Sequence, residues 1–196
     1  MNENYIHPCI PKGVSNGILK GMYRLKRGGK KKLKAQLMGS GTILREVLAS
    51  SEILLKDFGI DSDVWSVTSF NELRRNALQI ERWNNLNPDK QPKKNYIQSC
   101  LSSSAGPFIA ATDYMKIIPD QIQRWVPGTF VSLGTDGYGR SDARSALRKH
   151  IEVDRWFIVI TTLKALSDQG MIDGRIVSKA IKKYGIDPSK KDPVNL

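Results

Sequence analysis

Apolar positions along the 196-residue chain follow two patterns that alternate with each other. Short β-prone runs predict four strands, at residues 33–38, 62–68, 107–111 and 130–133. Apolar residues three or four positions apart predict helices, at 43–58, from Ser69 or Asn71 through Trp83, and at 141–150, 154–168 and 172–184. Such alternation is typical of a mostly parallel sheet with helices on both faces. The pattern therefore predicts an α/β fold.

Composition excludes two classes of protein. No apolar run approaches the roughly 18 residues that a membrane-spanning helix needs, so no membrane partner is expected. The first residues show neither the basic region nor the apolar region of a secretory signal, which predicts a location in the reducing cytoplasm. Cys9 and Cys100 lack the paired spacing of a zinc or redox motif, which favours free thiols.

The formal net charge of +12 is concentrated between residues 20 and 34. Gly28-Gly29 lies between two possible strands there, which predicts a hairpin with a basic tip. Clustered Lys and Arg bind phosphate backbones, but lysines also keep edge strands from pairing with other chains. Tyr23 is the one aromatic residue of this stretch on which a base could stack. A solvated basic loop is therefore favoured, with nucleic-acid binding open as the alternative.

Glycine turns follow two of the predicted strands, at the end of the sheet where α/β folds bind ligands. The turn GSGT at residues 39–42 lacks the third glycine of a dinucleotide fingerprint. It also lacks the Lys-Ser/Thr pair with which a Walker loop holds phosphate and magnesium. A tight strand-to-helix turn is favoured over a phosphate site.

The second glycine turn, at residues 134–139, has the order GxxGxG, the reverse of the fingerprint spacing. Ser141 is predicted to cap the following helix, with Asp142 in its first turn. The helix N-terminus would then already have a carboxylate of its own chain beside it. Binding of an external anion by Arg140 and Arg144 stays open as the alternative.

Catalytic combinations are scarce. His7 and His150 are the only histidines, and neither has a serine or cysteine nucleophile with a predictable partner. Glu152 and Asp154 could hold a metal ion, but a cap by Asp154 on the following apolar helix is favoured. No catalytic, cofactor-binding or metal-binding residue is therefore assigned.

Eight blocks of sequence carry a resemblance to a known family. In order they are NENY at 2–5, GSGTILREV at 39–47, SDVWSVTSFNEL at 62–73, ERWN at 81–84, AATDYMK at 110–116, GTDGYGRSDAR at 134–144, EVD at 152–154 and IKKYGID at 181–187. Together they resemble the C-terminal domain of the homodimeric bacterial pyruvate dehydrogenases, the thiamine-dependent, decarboxylating components of the pyruvate dehydrogenase complex. The resemblance covers nearly the whole chain.

The resemblance implies a three-layer α/β/α domain of the transketolase C-terminal type over residues 33–196. Residues 1–32 would be an N-terminal segment and basic hairpin cut from a preceding domain. In the family, two preceding domains bind thiamine diphosphate and magnesium through a Gly-Asp-Gly motif followed by an Asn-Asn pair. Here TDG at 135–137 is not that motif, and Asn84-Asn85 precedes it. The chain alone is therefore expected to bind neither group and to be inactive.

The resemblance also implies a role in assembly. The whole enzyme would decarboxylate pyruvate oxidatively and pass the acetyl group to lipoyl groups of the acetyltransferase core. The expected partners are the remaining domains, the second subunit and that core, whereas nucleic acid is not expected. The second glycine turn would contribute to an interface, with the candidate residues Tyr138, Arg140, Ser141 and Asp142.

MNENY resembles an internal junction of the family, so the chain is expected to be a fragment: a split or frameshifted gene product, or a domain expressed alone. Apolar surface left uncovered is expected at Tyr5, Ile6, Ile10 and Tyr138, with marginal stability or self-association as the consequence.

Two departures from the family stand out. Asn76-Ala77 replaces an Asp-Gly turn, and the loop at 26–34 is unusually basic. The second departure keeps open the alternative of a stand-alone anion- or nucleic-acid-binding module that uses residues 20–34.

Overall fold

The computed structural model describes residues 8–195. Its five strands form one sheet in the order β1-β3-β2-β4-β5. They are β1 (Met22–Lys26), β2 (Lys34–Gly39), β3 (Asp61–Val67), β4 (Phe108–Ala111) and β5 (Phe130–Leu133). Strands β2 to β5 run parallel to one another, and β1 is antiparallel to its neighbour β3. The four strand predictions and the mostly parallel sheet are confirmed.

The helices within residues 8–195 connect and cover these strands. They are α1 (Ser15–Lys20), α2 (Leu44–Phe58), α3 (Phe70–Leu86), α4 (Tyr96–Leu101), α5 (Ile117–Asp120), α6 (Arg144–His150), α7 (Arg155–Asp168) and α8 (Gly174–Lys183). Short 3₁₀ turns occupy Gly41–Ile43, Gln123–Trp125 and Pro193–Asn195. The Ser69 side chain accepts a hydrogen bond from the Glu72 N–H at 3.1 Å, so Ser69 is the predicted cap of α3.

The sheet separates two apolar cores, because neighbouring side chains of a strand point to opposite faces. Leu37 packs with α2, α7 and α8 on one face, and Met38 packs with α3 and α4 on the other. In β4, Ile109 belongs to the first core and Phe108 to the second. The three-layer α/β/α architecture is thereby confirmed.

The predicted hairpin around Gly28-Gly29 is wrong. Strand β1 pairs with β3, and β3 lies between β1 and β2. The loop instead crosses the start of β3, where the Asp63 carboxylate accepts the Gly28 N–H and the Asp61 carboxylate accepts the Lys31 N–H, both at 2.7 Å. The division of the chain at residue 32 stays a prediction.

The departure at Asn76-Ala77 put the family's Asp-Gly turn in doubt, and this chain has no turn there, since both residues lie inside α3, within the predicted helix. Ala77 is fully buried in the second core. The Asn76 side-chain oxygen accepts the Tyr96 N–H at 2.9 Å and so joins α3 to the start of α4. In this sequence the position continues a helix instead of reversing the chain.

None of the helices in the described part of the chain is long and apolar enough to cross a membrane. Cys9 is exposed and Cys100 half-buried, and both are free cysteines. Burial raises the pKa of the Cys100 thiol, so this cysteine is held in its neutral form.

Candidate functional site

The connection after β2 leads to β3 on one side of β2, whereas the connection after β3 leads to β4 on the other side. The order of the strands therefore reverses between β2 and β4, and the carboxyl ends of these two strands flank a crevice position. In open α/β sheets this is where ligands bind. The Ser40 and Thr112 hydroxyl groups are hydrogen-bonded there at 2.7 Å, and both residues are buried. A Cβ atom on Gly41 would lie 2.9 Å from an Asp113 carboxylate oxygen. The space at the carboxyl ends of β2 and β4 is therefore filled by the chain's own side chains. This agrees with a tight turn at 39–42.

The second glycine turn is joined to the loop after β4. The Thr135 N–H donates to the Tyr114 carbonyl at 2.9 Å, and the Lys116 N–H donates to the Asp136 carboxylate at 3.0 Å. A Cβ atom on Gly134 would approach the Tyr114 carbonyl oxygen to 2.6 Å, so the two loops need glycine to lie this close. They form one continuous surface at the end of the sheet.

The predicted cap at Ser141 is wrong, because α6 begins three residues later at Arg144. Ala143 is the residue before the helix, and it has no side-chain acceptor to offer. Asp142 instead accepts its neighbour's N–H, that of Ala143, at 2.6 Å. This local hydrogen bond competes with helix formation and keeps Asp142 outside the first turn.

The predicted interface residues are all exposed. Tyr138 has 88 % of its surface exposed, and Arg140, Ser141 and Asp142 are exposed as well. Among the other residues expected to be uncovered, Ile10 is 65 % exposed, whereas Tyr5 and Ile6 lie outside the described residues. The role of these side chains in an interface stays a prediction.

Residues 187–195, which we call the C-terminal strap, lie against this surface. Lys190 donates to the carbonyls of Lys149 and His150 at the end of α6, and to the Glu152 carboxylate at 3.1 Å. Glu152 has a φ of +62°, a conformation that non-glycine residues rarely adopt. Because Lys190 donates to it, the Glu152 carboxylate is engaged by the strap.

The second member of that predicted pair, Asp154, caps α7 as expected. Its carboxylate accepts the N–H groups of Trp156 and Phe157, both at 3.0 Å. Burial raises the pKa of Asp154 above its ordinary value, although these two bonds act in the opposite direction. Among residues 8–195, no three His, Cys, Asp or Glu side chains come together as a metal site.

A buried ion cluster, consisting of Glu46, Arg148 and Arg155, joins α2, α6 and α7. The Arg155 guanidinium donates to both Glu46 carboxylate oxygens, at 2.8 and 3.1 Å, and the Arg155 N–H adds a third bond at 3.1 Å. Arg148 reaches the same carboxylate at 3.4 Å and the Thr42 hydroxyl at 3.3 Å. The Glu46 side chain is only 7 % exposed, so the carboxylate depends on these donors for its solvation.

Burial raises the pKa of Glu46, but the hydrogen bonds and charge of Arg155, with the charge of Arg148, lower it by more. The net pKa lies below the ordinary value, and the carboxylate is ionised at neutral pH. We interpret this cluster as structural, because it fixes the start of α7 against α2 and holds α6 to both.

The sequence contains a signal for this cluster that none of the predictions from periodicity used. Glu46 falls at helical spacing among the apolar positions Ile43, Val47 and Leu54, so it lies on the buried face of α2. A carboxylate on such a face predicts a buried cation partner. Nothing in the spacing identifies Arg148 and Arg155, which are about a hundred residues away.

The basic loop, residues 27–32, is held by carboxylates underneath it. Besides the two hydrogen bonds from its backbone to Asp61 and Asp63, a Cβ atom on Gly29 would lie 2.8 Å from an Asp61 oxygen. Lys26, next to the loop, reaches the Ser51 hydroxyl at 3.4 Å. The cations that point to solvent are Arg27, Lys30, Lys31 and Lys32.

A family model described as the transketolase-like TK C-terminal domain matches residues 21–154. Along its whole length the chain is 53 % identical to the pyruvate dehydrogenase E1 component of Pseudomonas aeruginosa and 46 % identical to that of Cupriavidus necator. It is 46 % identical to that of Escherichia coli K12 over 98 % of its length. The chain spans 22 % of the length of each of these relatives.

Solved structures agree on the fold. The transketolase from Leishmania mexicana superposes with a TM-score of 0.55 and 17 % identity, over 81 % of this chain and 20 % of that one. A split gene transketolase, described as an inactive β4 tetramer, gives a TM-score of 0.50 and 15 % identity, over 74 % and 42 %. The chain therefore belongs to the transketolase-like C-terminal domain family, and the relatives that it matches along its whole length are pyruvate dehydrogenase E1 components.

Proposed function

We propose that the chain is the C-terminal assembly domain of the E1 component of a bacterial pyruvate dehydrogenase. That homodimeric enzyme would act in the cytoplasm, decarboxylating pyruvate oxidatively and passing the acetyl group to lipoyl groups of the acetyltransferase core. One observation carries the proposal: the chain is 53 % identical over its full length to an E1 component of which it spans only 22 %. The remaining domains would then supply the active site.

The turn at 135–137 and Asn84 do not fit the binding of thiamine diphosphate and magnesium. In the turn at 135–137, Asp136 accepts the Lys116 N–H, and a Cβ atom on Gly137 would lie 3.0 Å from the Pro193 carbonyl oxygen of the strap. The Asn84 amide bonds to the backbone of Lys93 with both of its ends, at 2.8 and 3.0 Å. Since these side chains are engaged within the chain, we assign no cofactor step to them.

Separate expression tests this proposal. The Pseudomonas aeruginosa E1 component would be made without the segment that matches this chain, and the two polypeptides would be combined with thiamine diphosphate and magnesium. We expect pyruvate-dependent acetyl transfer to appear only in the mixture, because the domain completes the assembly. Activity of this chain alone, or a mixture no more active than the truncated enzyme, would contradict the proposal.

A nucleic-acid-binding module is the second candidate function. It is favoured by one observation, the four exposed cations on a loop whose backbone is held by two carboxylates. An ordered basic loop can release counterions from a phosphate backbone without first losing conformational freedom. Aromatic side chains for base stacking are lacking within the loop itself.

Salt dependence distinguishes the two candidates. If Arg27, Lys30, Lys31 and Lys32 only decorate the surface, duplex DNA should bind weakly, and four phosphate contacts would make its affinity fall roughly tenfold when the salt concentration doubles. Fluorescence anisotropy would compare wild type with a variant carrying Gln at all four positions. The control replaces four exposed lysines elsewhere by Gln: Lys56, Lys149, Lys179 and Lys182. Tight binding that survives about 0.2 M salt and is lost only in the loop variant would favour the module.

A further inference from the structure

Exposed apolar side chains gather at the carboxyl ends of β4 and β5. Tyr114, Met115 and Ile117 are 59 %, 58 % and 63 % exposed, and Tyr138 on the neighbouring turn is 88 % exposed. Single exposed apolar residues are ordinary on protein surfaces, but contiguous ones mark interaction sites. We call these four residues the apolar patch.

Hydrogen bonds join the two loops that carry the apolar patch. The hydrogen bonds from Thr135 to Tyr114 and from Lys116 to Asp136 tie the two loops together on either side of Met115. Gly134 lies directly against the Tyr114 carbonyl. The exposed side chains therefore project from one fixed backbone scaffold, which lowers the entropy lost when a partner covers them.

The chain that follows Tyr138 is exposed over its first residues. Every residue from 137 to 146 is exposed, and α6 contains no buried residue. A helix of seven residues without a side-chain cap gains little stability from its own hydrogen bonds and depends on packing. At its C-terminal end, Arg148 meets Glu46 and Lys190 meets the last carbonyls.

We propose that the apolar patch, with the exposed 137–146 segment, is the docking surface for the remaining part of an E1 polypeptide. The inference rests on the proposed function, and it names the side chains through which assembly occurs. The occupant follows from length: the matching relatives are chains of which this one spans 22 %, so most of such an enzyme lies outside this chain. A polypeptide of that size can cover a surface that the domain leaves open.

The test measures binding of this chain to the Pseudomonas aeruginosa E1 component that lacks the matching segment. Sedimentation velocity would compare wild type with Met115→Ser/Ile117→Ser, and with Tyr138→Ser as an independent variant. The control is Leu55→Ser/Leu86→Ser, because these side chains are 43 % and 62 % exposed near the C-terminal ends of α2 and α3, at the opposite end of the sheet. Circular dichroism would show that each variant folds.

We expect the Kd to rise roughly tenfold or more for the patch variants and to stay within about twofold for the control. Equal binding by the patch variants and wild type would overturn the inference while leaving the proposed function standing. Equal weakening in patch and control variants would overturn it too. So would patch variants that change only the self-association of this chain, since the occupant would then be a second copy. A wild-type chain that does not bind at all would contradict the proposed function itself.

Discussion

Replacing Glu46 by Gln is expected to lower the free energy of unfolding by about 3 kcal/mol at pH 7. The substitution keeps the shape of the side chain but removes the charge to which Arg148 and Arg155 both donate. Breaking a buried ion pair typically costs about 3–5 kcal/mol, and the lower end applies because the Arg155 side chain is 42 % exposed. Urea unfolding followed by circular dichroism measures the loss.

The matched control is Glu81→Gln. Glu81 also pairs with an arginine, Arg124, but the two side chains are 34 % and 62 % exposed. An exposed ion pair contributes less than about 1 kcal/mol, so this variant should unfold almost like wild type. Equal losses for the two substitutions would show that burial of the Glu46 cluster contributes nothing beyond an ordinary surface pair.

The effect of Glu46→Gln should also depend on pH. Because the folded chain holds the pKa of Glu46 below its ordinary value of 4.5, the carboxylate stabilises the fold above that pH. The contribution is lost as pH falls below 4.5 and through the folded-state pKa, where the folded chain also takes up the proton. The stability difference between wild type and variant should therefore shrink towards acid pH. A difference independent of pH would indicate lost packing instead of lost charge.

Replacing Gly106 by Ala is expected to have a larger effect, about 4 kcal/mol or a failure to fold. Gly106 lies just before β4 with a φ of +87°, where an L side chain is strained. A Cβ atom there would lie 1.9 Å from the Lys34 carbonyl oxygen, so the start of β2 would have to move. Strand β2 contributes to both cores, and the shift would spread to them.

Gly170→Ala separates the two causes. Gly170 has a φ of +69°, but nothing lies within 4 Å of a Cβ atom added there. Only the conformational cost remains, about 1 kcal/mol. Soluble yield and urea midpoints of the two variants give the comparison. If Gly106→Ala were no more destabilising than Gly170→Ala, the close approach of residue 106 to β2 would be contradicted.

The periodicity of the sequence was enough to predict the strands and the helices that pack on them. In β2, side chains alternate between two cores, and in α2 apolar residues recur on one face until Gly59 ends the helix. The caps at Ser69 and Asp154 follow from local chemistry, because each side chain bonds within three residues of itself. Features that depend on residues close in sequence could therefore be predicted.

Features that depend on residues distant in sequence could not be predicted. The glycine pair at 28–29 has the composition of a hairpin, but Asp61 and Asp63 lie some thirty residues further along and draw the loop across β3. The start of α6 was misplaced for a local reason instead: Ser141 has the residue type of a cap, but Asp142 accepts the N–H of its neighbour Ala143 and stays outside the helix. The exposure of Tyr114, Met115 and Ile117 gives no signal in sequence, since apolar residues after a strand also fit a core.

A chimera tests the central claim, which is that this chain can replace the corresponding domain in an E1 component. The chain would replace its matching segment in the Pseudomonas aeruginosa enzyme, with which it shares 53 % identity. We predict pyruvate-dependent acetyl transfer within about tenfold of the unaltered enzyme, a difference of no more than about 1.4 kcal/mol in activation free energy. A folded chimera with no more activity than the enzyme lacking the segment would contradict the claim.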